Sequence, residues 1–241
     1  LLEGLNAAQR EAVLSTEGFV RVIAGAGSNS SEMQKHKSVI YSQMGASALL
    51  CISPYYVKTN EEGMYRHFMM SADAATAPII LYNVPGRTGC KISPAVVERL
   101  SSHPNAWGIK EASGDISYAA SIAHCLSDDF RMMSGNDDMI VPLMSLGAVG
   151  VISVWADVAP RAVHDLCAKF LAGDVAGARK LQIDNLELIH SLFCEVNPIP
   201  VKAALAKMGL LDENYRKPLW PMTDSDRERL YAAMKGAGLI D

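Results

Sequence analysis

The sequence has 241 residues, 49% of them hydrophobic and 20% charged, with a formal net charge of −4 at pH 7. That balance excludes a disordered chain and leaves no basic surplus of the kind that marks a nucleic-acid-binding face, so no nucleic-acid partner is expected. No apolar run approaches the roughly 18 residues of a membrane span, and the sequence opens without a basic-then-apolar signal segment, so neither a membrane partner nor secretion is expected.

Short β-rich apolar runs recur at residues 19–24, 48–52, 79–82, 107–110, 130–134 and 150–154. Their centres, near Ile23, Leu50, Ile80, Ile109, Met132 and Val151, lie about one βα unit apart, as parallel crossovers that carry a helix require. Helical patterns fill the intervals. The first spans 31–44 and stops at Gly45; the second spans 61–74. A third spans 94–101, with Ser93 as its cap and Pro94 in its first position. Two more are predicted at 117–125 and at 138–146, the latter stopped by Gly147. Beyond residue 154 the strand signals cease, and helices are predicted at 160–171, 175–193, 200–208 and 225–235. This α/β alternation predicts a parallel sheet covered by helices, either closed as a barrel or open and doubly wound. No linker-like segment marks a domain boundary, and the helical C-terminal third reads as a separate layer or small domain.

The five cysteines, Cys51, Cys90, Cys125, Cys167 and Cys194, are scattered and lack CxxC spacing. They suggest structural thiols in a reducing, cytoplasmic setting, not a disulfide frame or a zinc site. The six histidines have no metal-ligand spacing, and no metal is expected.

Lys110 ends an apolar strand in Trp107-Gly108-Ile109-Lys110-Glu111. Active sites of parallel α/β folds lie at that end of the strands. Desolvation there disfavours an ammonium ion, and a neutral amine can attack a carbonyl to form a Schiff base. In Tyr82-Asn83-Val84-Pro85-Gly86-Arg87, Tyr82 also ends a strand, and the Pro-Gly turn brings Arg87 back over the same rim. A tyrosine hydroxyl can relay protons, and an arginine can hold a carboxylate bidentately. Tyr55 and Tyr56 follow a third strand and are packing or interface residues by default. In Ser134-Gly135-Asn136-Asp137-Asp138, Asp137 is expected to cap the helix that follows, and Gly135 to let a ligand approach the backbone. Gly25-Ala26-Gly27-Ser28 resembles the start of a phosphate loop, yet Ser28-Asn29-Ser30-Ser31 supplies no phosphate lysine.

Taken together, these motifs resemble the dihydrodipicolinate synthase / N-acetylneuraminate lyase family of class I pyruvate-dependent aldolases. The likeness runs from about Val22 to Leu239. It includes Ser53-Pro54-Tyr55-Tyr56, Tyr82 to Gly89, Gly108-Ile109-Lys110-Glu111-Ala112, Ser134-Gly135-Asn136-Asp137 and Gly150-Val151-Ile152-Ser153. The stiff double-proline segment Asn197-Pro198-Ile199-Pro200-Val201-Lys202 leans towards dihydrodipicolinate synthase. The resemblance implies a TIM barrel with a C-terminal helical appendix, assembled as a homodimer or homotetramer. It implies condensation of pyruvate with the small aldehyde aspartate semialdehyde, in lysine and diaminopimelate synthesis. The implied roles are Lys110 as the Schiff-base lysine, Tyr82 as proton relay and Tyr56 as a second tyrosine reaching a neighbouring subunit's site. Arg87 is implied to bind the aldehyde's carboxylate, and Gly135 with the Ile152 backbone to line the pyruvate pocket. No cofactor is implied, because the lysine imine is the electron sink.

Against that family, two βα units and a Gly-Thr-Thr-Gly-Glu loop are expected to be missing before residue 19, which leaves six strands. The expected organisation is an atypical segment at 1–18, a partial barrel at 19–157 and C-terminal helices at 158–241. Residues Leu5 to Val13 resemble the opening of a UvrD-type helicase, with Gln9 matching its adenine-contacting glutamine. Three alternatives stand beside the synthase: a catalytically impaired binding or assembly protein, another 2-oxo-acid aldolase such as an N-acetylneuraminate lyase, and a nucleotide-binding module.

Overall fold

The structure, a computed structural model, describes residues 23–241. The segment at 1–18, with Gln9, and the start of the first expected strand at 19–22 lie outside the described residues. The chain forms two compact units, Leu1–Met133 and Ser134–Asp241.

In the first unit the strands are β1 (Ile23–Gly25), β2 (Ala48–Ile52), β3 (Ile79–Asn83) and β4 (Ala106–Glu111). They pair in parallel, and β5 (Arg131–Ser134) follows β4 in the sheet order. Ile79, Ile80 and Leu81 are consecutive and all fully buried. Side chains alternate between the two faces of a strand, so such a run is stable only in a sheet covered on both sides. Gly108 lies so close to the Arg131 carbonyl that a Cβ at this position would collide with it. Glycine there lets the neighbouring backbone approach.

The crossover helices are α1 (Ser31–Gln43), α2 (Glu61–Ala74), α4 (Pro94–Ser101) and α5 (Ile116–Ile122), with the short α3 (Pro85–Thr88) between β3 and α4. Each crossover helix starts on a side-chain cap: Ser30, Asn60, Ser93 and Asp115 accept from the backbone N–H groups of Met33, Gly63, Val96 and Tyr118. Helix α2 buries Met64, Phe68 and Ala72 along one stripe, and α4 buries Val96, Val97 and Leu100. The inward face of α1 is polar by contrast. Gln34 accepts from the Ser28 N–H at 3.3 Å, and the Ser38 hydroxyl lies 3.9 Å from the Cys51 sulfur. Burial pushes the Cys51 thiol up to about 12, so it stays protonated.

The second unit is helical, with α6 (Ile140–Ser145), α7 (Trp155–Val158), α8 (Pro160–Leu171), α9 (Val175–Asp184), α10 (Leu186–Ser191), α11 (Ile199–Lys207) and α12 (Asp224–Gly236). Trp155, Leu166, Leu192, Leu230 and Met234 are fully buried. Gln182 on α9 fastens the start of α6, accepting from the Val141 N–H at 2.8 Å and donating to the Asp138 carbonyl at 2.5 Å.

Three expectations need correction. The sixth strand, at 150–154, is a single parallel bridge between Ser134 and Val151. It stops there because the N–H groups of Val154 and Trp155 donate to the Asp137 carboxylate, at 3.1 and 2.9 Å, and not to a neighbouring strand. Five strands are therefore present among the described residues. Secondly, Asp137 caps α7 and not the helix that follows it in sequence. Finally, the helix expected at 175–193 breaks at Asn185, whose amide donates to the Leu181 carbonyl at 2.8 Å and whose backbone leaves the helical range.

Candidate active site

Three strand ends in the first unit meet in one row: Ile52 pairs with Tyr82, and Tyr82 pairs with Lys110. Paired residues of neighbouring strands point to the same face. Lys110 is buried, with 9% of its surface exposed. Its Nζ lies 4.6 Å from the centre of the Tyr82 ring. An amine seated against an aromatic ring at the end of a parallel sheet has the position a carbonyl-attacking nucleophile needs.

Tyr82 is half-buried. Desolvation holds its hydroxyl above the ordinary pKa, and the positive charge of Arg87 pulls it partly back. The guanidinium is thus close enough to act on the phenol. It is brought there by α3, the four-residue helix into which the expected Pro-Gly turn folds. Gly89 closes that turn with φ of 71°, and its N–H donates to the Pro85 carbonyl at 2.9 Å. A left-handed conformation favours glycine at 89, whereas at Gly86 a side chain would meet open space.

Tyr56 is placed differently. Its side chain is 88% exposed, and its backbone sits at φ of 67°. The Tyr56 N–H donates to the Thr88 carbonyl at 3.3 Å, which ties the tyrosine turn to the arginine turn. A non-glycine residue in the left-handed region costs about 1–3 kcal/mol and persists only where its surroundings impose it. The structure therefore brings Lys110, Tyr82 and Arg87 together, and leaves the Tyr56 ring projecting from the surface of the chain.

In the second unit, Gly135 and Ile152 both adjoin the Ser134–Val151 bridge. Ser134 accepts from the Ile152 N–H at 2.9 Å and donates its own N–H to Gly150 at 2.8 Å. Gly135 and the Ile152 backbone are thereby neighbours.

The glycine-rich turn before α1 does not fit a phosphate. The Ser28 N–H is taken by Gln34, and a Cβ on Gly27 would run into the Ile52 side chain. Its glycine is a packing requirement.

A family model for the dihydrodipicolinate synthetase family matches residues 6–237. The chain belongs to this family. Relatives in it include the 4-hydroxy-tetrahydrodipicolinate synthase of Pseudomonas aeruginosa, 46% identical over 96% of this chain and 79% of that protein. The synthase of Trichlorobacter lovleyi is 43% identical over 93% of this chain and 77% of its own length. Among solved structures, the dihydrodipicolinate synthase of Thermotoga maritima superposes with a TM-score of 0.92 at 36% identity, covering 98% of this chain and 83% of that one. The Acinetobacter baumannii enzyme, solved with pyruvate, gives 0.88 at 42% identity, over 92% and 76%. The fold is of the dihydrodipicolinate synthase TIM-barrel type, with its parallel sheet and helices. Among the described residues, no helix is long and apolar enough to cross a membrane.

The sequence reading missed a polar tier behind this row. Asn83 and Glu111, one position beyond Tyr82 and Lys110, are paired in register and almost fully buried. Asn83 Nδ2 donates to Glu111 Oε2 at 2.7 Å, and Glu111 Oε1 accepts from the Ser113 N–H at 2.7 Å and from the Ser113 hydroxyl. Burial pushes the Glu111 carboxyl above its ordinary pKa, against these hydrogen bonds and the charge of Lys91. The available signal was strand alternation: polar residues directly following Tyr82 and Lys110 must turn to the helix-covered face.

Proposed function

We propose that this chain is a 4-hydroxy-tetrahydrodipicolinate synthase that condenses pyruvate with aspartate semialdehyde through a Schiff base on Lys110. The observation that carries the reading is the buried Lys110 amine, 4.6 Å from the ring of its register partner Tyr82, in a chain 46% identical to a synthase of that name.

In this reading Lys110 Nζ attacks the pyruvate carbonyl and water leaves, giving an imine. Loss of a methyl proton gives an enamine, whose carbon attacks the aldehyde. Tyr82 carries protons in these steps, and its closeness to both Lys110 and the Arg87 charge suits that task. Arg87 holds the carboxylate of the incoming aldehyde, as a planar guanidinium does well. The imine is the electron sink, and the chemistry runs without a cofactor or metal. The parts assigned to Gly135 and the Ile152 backbone in binding pyruvate rest on the family resemblance and on their adjacency beside Ser134.

Tyr56 acts in a neighbouring subunit's site. Its exposed ring supports that role, and so does its left-handed backbone, a strained conformation of the kind that clusters at functional sites. The active form is then a homodimer or a larger homo-oligomer, working in the cytoplasm. The test is a coupled assay of pyruvate and aspartate semialdehyde turnover by wild type and by Lys110→Ala. Turnover that Lys110→Ala abolishes while the variant stays folded is expected; equal turnover by the two proteins contradicts the assignment.

A further inference from the structure

Lys110 and Tyr82 act together only if the ends of β3 and β4 keep their register. The register pairing of these strands ends at Asn83 and Glu111, with one further backbone bond from the Ala112 N–H to the Asn83 carbonyl at 2.9 Å, and it is irregular between Ile79 and Ile80. At this end of the strands the side chains of the two residues add a second connection, at 2.7 Å. Each has a neighbour in the site: Asn83 follows Tyr82, and Glu111 follows Lys110. The Asn83 side chain has a second bond, since its Oδ1 accepts from the Ile92 N–H at 3.1 Å. Ile92 lies where the chain returns after the α3 turn, so this bond closes the segment that carries Arg87. Ser113 extends the chain of bonds: besides its two contacts to Glu111, its hydroxyl accepts from the Asp115 N–H at 3.1 Å at the start of α5.

The pattern of donors and acceptors is restrictive. Glu111 faces donors on both oxygens, Asn83 Nδ2 on one side and Ser113 on the other. Asn83 cannot turn its amide over, because its oxygen is needed by the Ile92 N–H. Only an acceptor pair at 111 and a donor–acceptor pair at 83 satisfy every group. A glutamine at 111 sets an NH2 against a donor in either orientation. An aspartate at 83 sets two carboxylates face to face. The exchanged pair, glutamine at 111 with aspartate at 83, satisfies every partner again.

We propose that Glu111 and Asn83 are positioning residues that hold Tyr82 and Lys110 in reacting register behind the site, and that close the loop bearing Arg87. The proposal rests on the lysine Schiff-base reading. Neither residue is assigned contact with substrate; they act through the strand ends.

The experiment compares wild type, Glu111→Gln, Asn83→Asp and the double variant E111Q/N83D as full chains. Steady-state kinetics with both substrates are measured together with borohydride trapping of pyruvate on Lys110. Trapping counts the folded, competent sites, so kcat is expressed per reactive lysine. Misplacing reacting groups by about 1 Å costs about 10²-fold in rate. Losing one bond of this chain is a smaller displacement, and each single variant is expected to lose about tenfold in kcat per competent site, with both KM values within about threefold. The double variant is expected to regain kcat to within about threefold of wild type. Single variants that keep wild-type kcat overturn the proposal, as does a folded double variant that stays as slow as the singles. Where a single variant fails to fold, the double variant decides alone: near wild-type kcat supports the exchange, and a tenfold deficit refutes it. Wild type that forms no adduct on Lys110 overturns the lysine reading and this proposal with it. Wild type that reacts, beside unaffected variants, overturns only the positioning role.

Discussion

Replacing Tyr82 by phenylalanine isolates the relay role from packing. The ring is kept, and with it the 4.6 Å contact to Lys110 Nζ. The atom removed is the hydroxyl oxygen, which is held above its ordinary pKa by burial and drawn down by Arg87. A positioned proton-transfer group contributes about 10²–10⁴-fold to a rate, or about 3–5 kcal/mol of barrier at about 1.4 kcal/mol per tenfold. Folding stability should change by about 1 kcal/mol or less, the net worth of one hydroxyl interaction. In the coupled assay, Tyr82→Phe is therefore expected to lose two to four decades in kcat, while borohydride still traps pyruvate on Lys110. The pH profile adds a second check. Arg87 stabilises the ionised phenol, so in Arg87→Met the alkaline limb that Tyr82 contributes to kcat moves to higher pH, and in Tyr82→Phe it disappears. A kcat for Tyr82→Phe within about threefold of wild type, with an unchanged profile, would refute the relay.

Three further outcomes follow from the packing around the site. His67 is buried, donates its Nε2–H to the Ile52 carbonyl at 3.2 Å and accepts from the Ser31 hydroxyl at Nδ1 at 2.9 Å, and has a pKa lowered from 6.5, mainly by desolvation. The unfolded chain takes up this proton near 6.5 and the folded chain resists it, so stability is full above that pH and falls as the pH drops below it. Urea unfolding between about pH 7.5 and about pH 5 should show this slope in wild type and a flatter one in His67→Gln. Phe68→Ala should cost about 3–5 kcal/mol in the same assay, because its ring is fully buried on the inward face of α2 and its loss leaves a cavity; a loss below about 1 kcal/mol contradicts the assigned core. Gly108→Ala should lower stability by about 1–3 kcal/mol and reduce kcat as well, since the new Cβ meets the Arg131 carbonyl two residues before Lys110.

The strand ends are legible because buried parallel strands write themselves as short apolar runs, with Lys110 and Tyr82 as polar residues at their close and Arg87 in the turn that follows Tyr82. The apolar run at 48–52 coincides with β2 for that reason. What stayed hidden was fixed by contacts between distant residues. Nothing near Asp137 in sequence says that its carboxylate will gather the N–H groups of Val154 and Trp155 and so end the sixth strand early. The break at Asn185 depends on a side chain competing for its own helix's carbonyl, a choice that periodicity does not register. Glu111 and Asn83 are 28 residues apart in sequence, and each alone is an ordinary polar residue at the end of a strand. Their pairing becomes visible only when the β3–β4 register is known.

The central claim is that Lys110 is the residue that captures pyruvate. The most direct measurement is peptide mass analysis of the protein after treatment with pyruvate and borohydride. The account predicts one reduced pyruvate adduct per chain, located on the peptide containing Lys110 and absent from Lys110→Ala. An adduct on another lysine, or none on a folded and catalytically active protein, would contradict it.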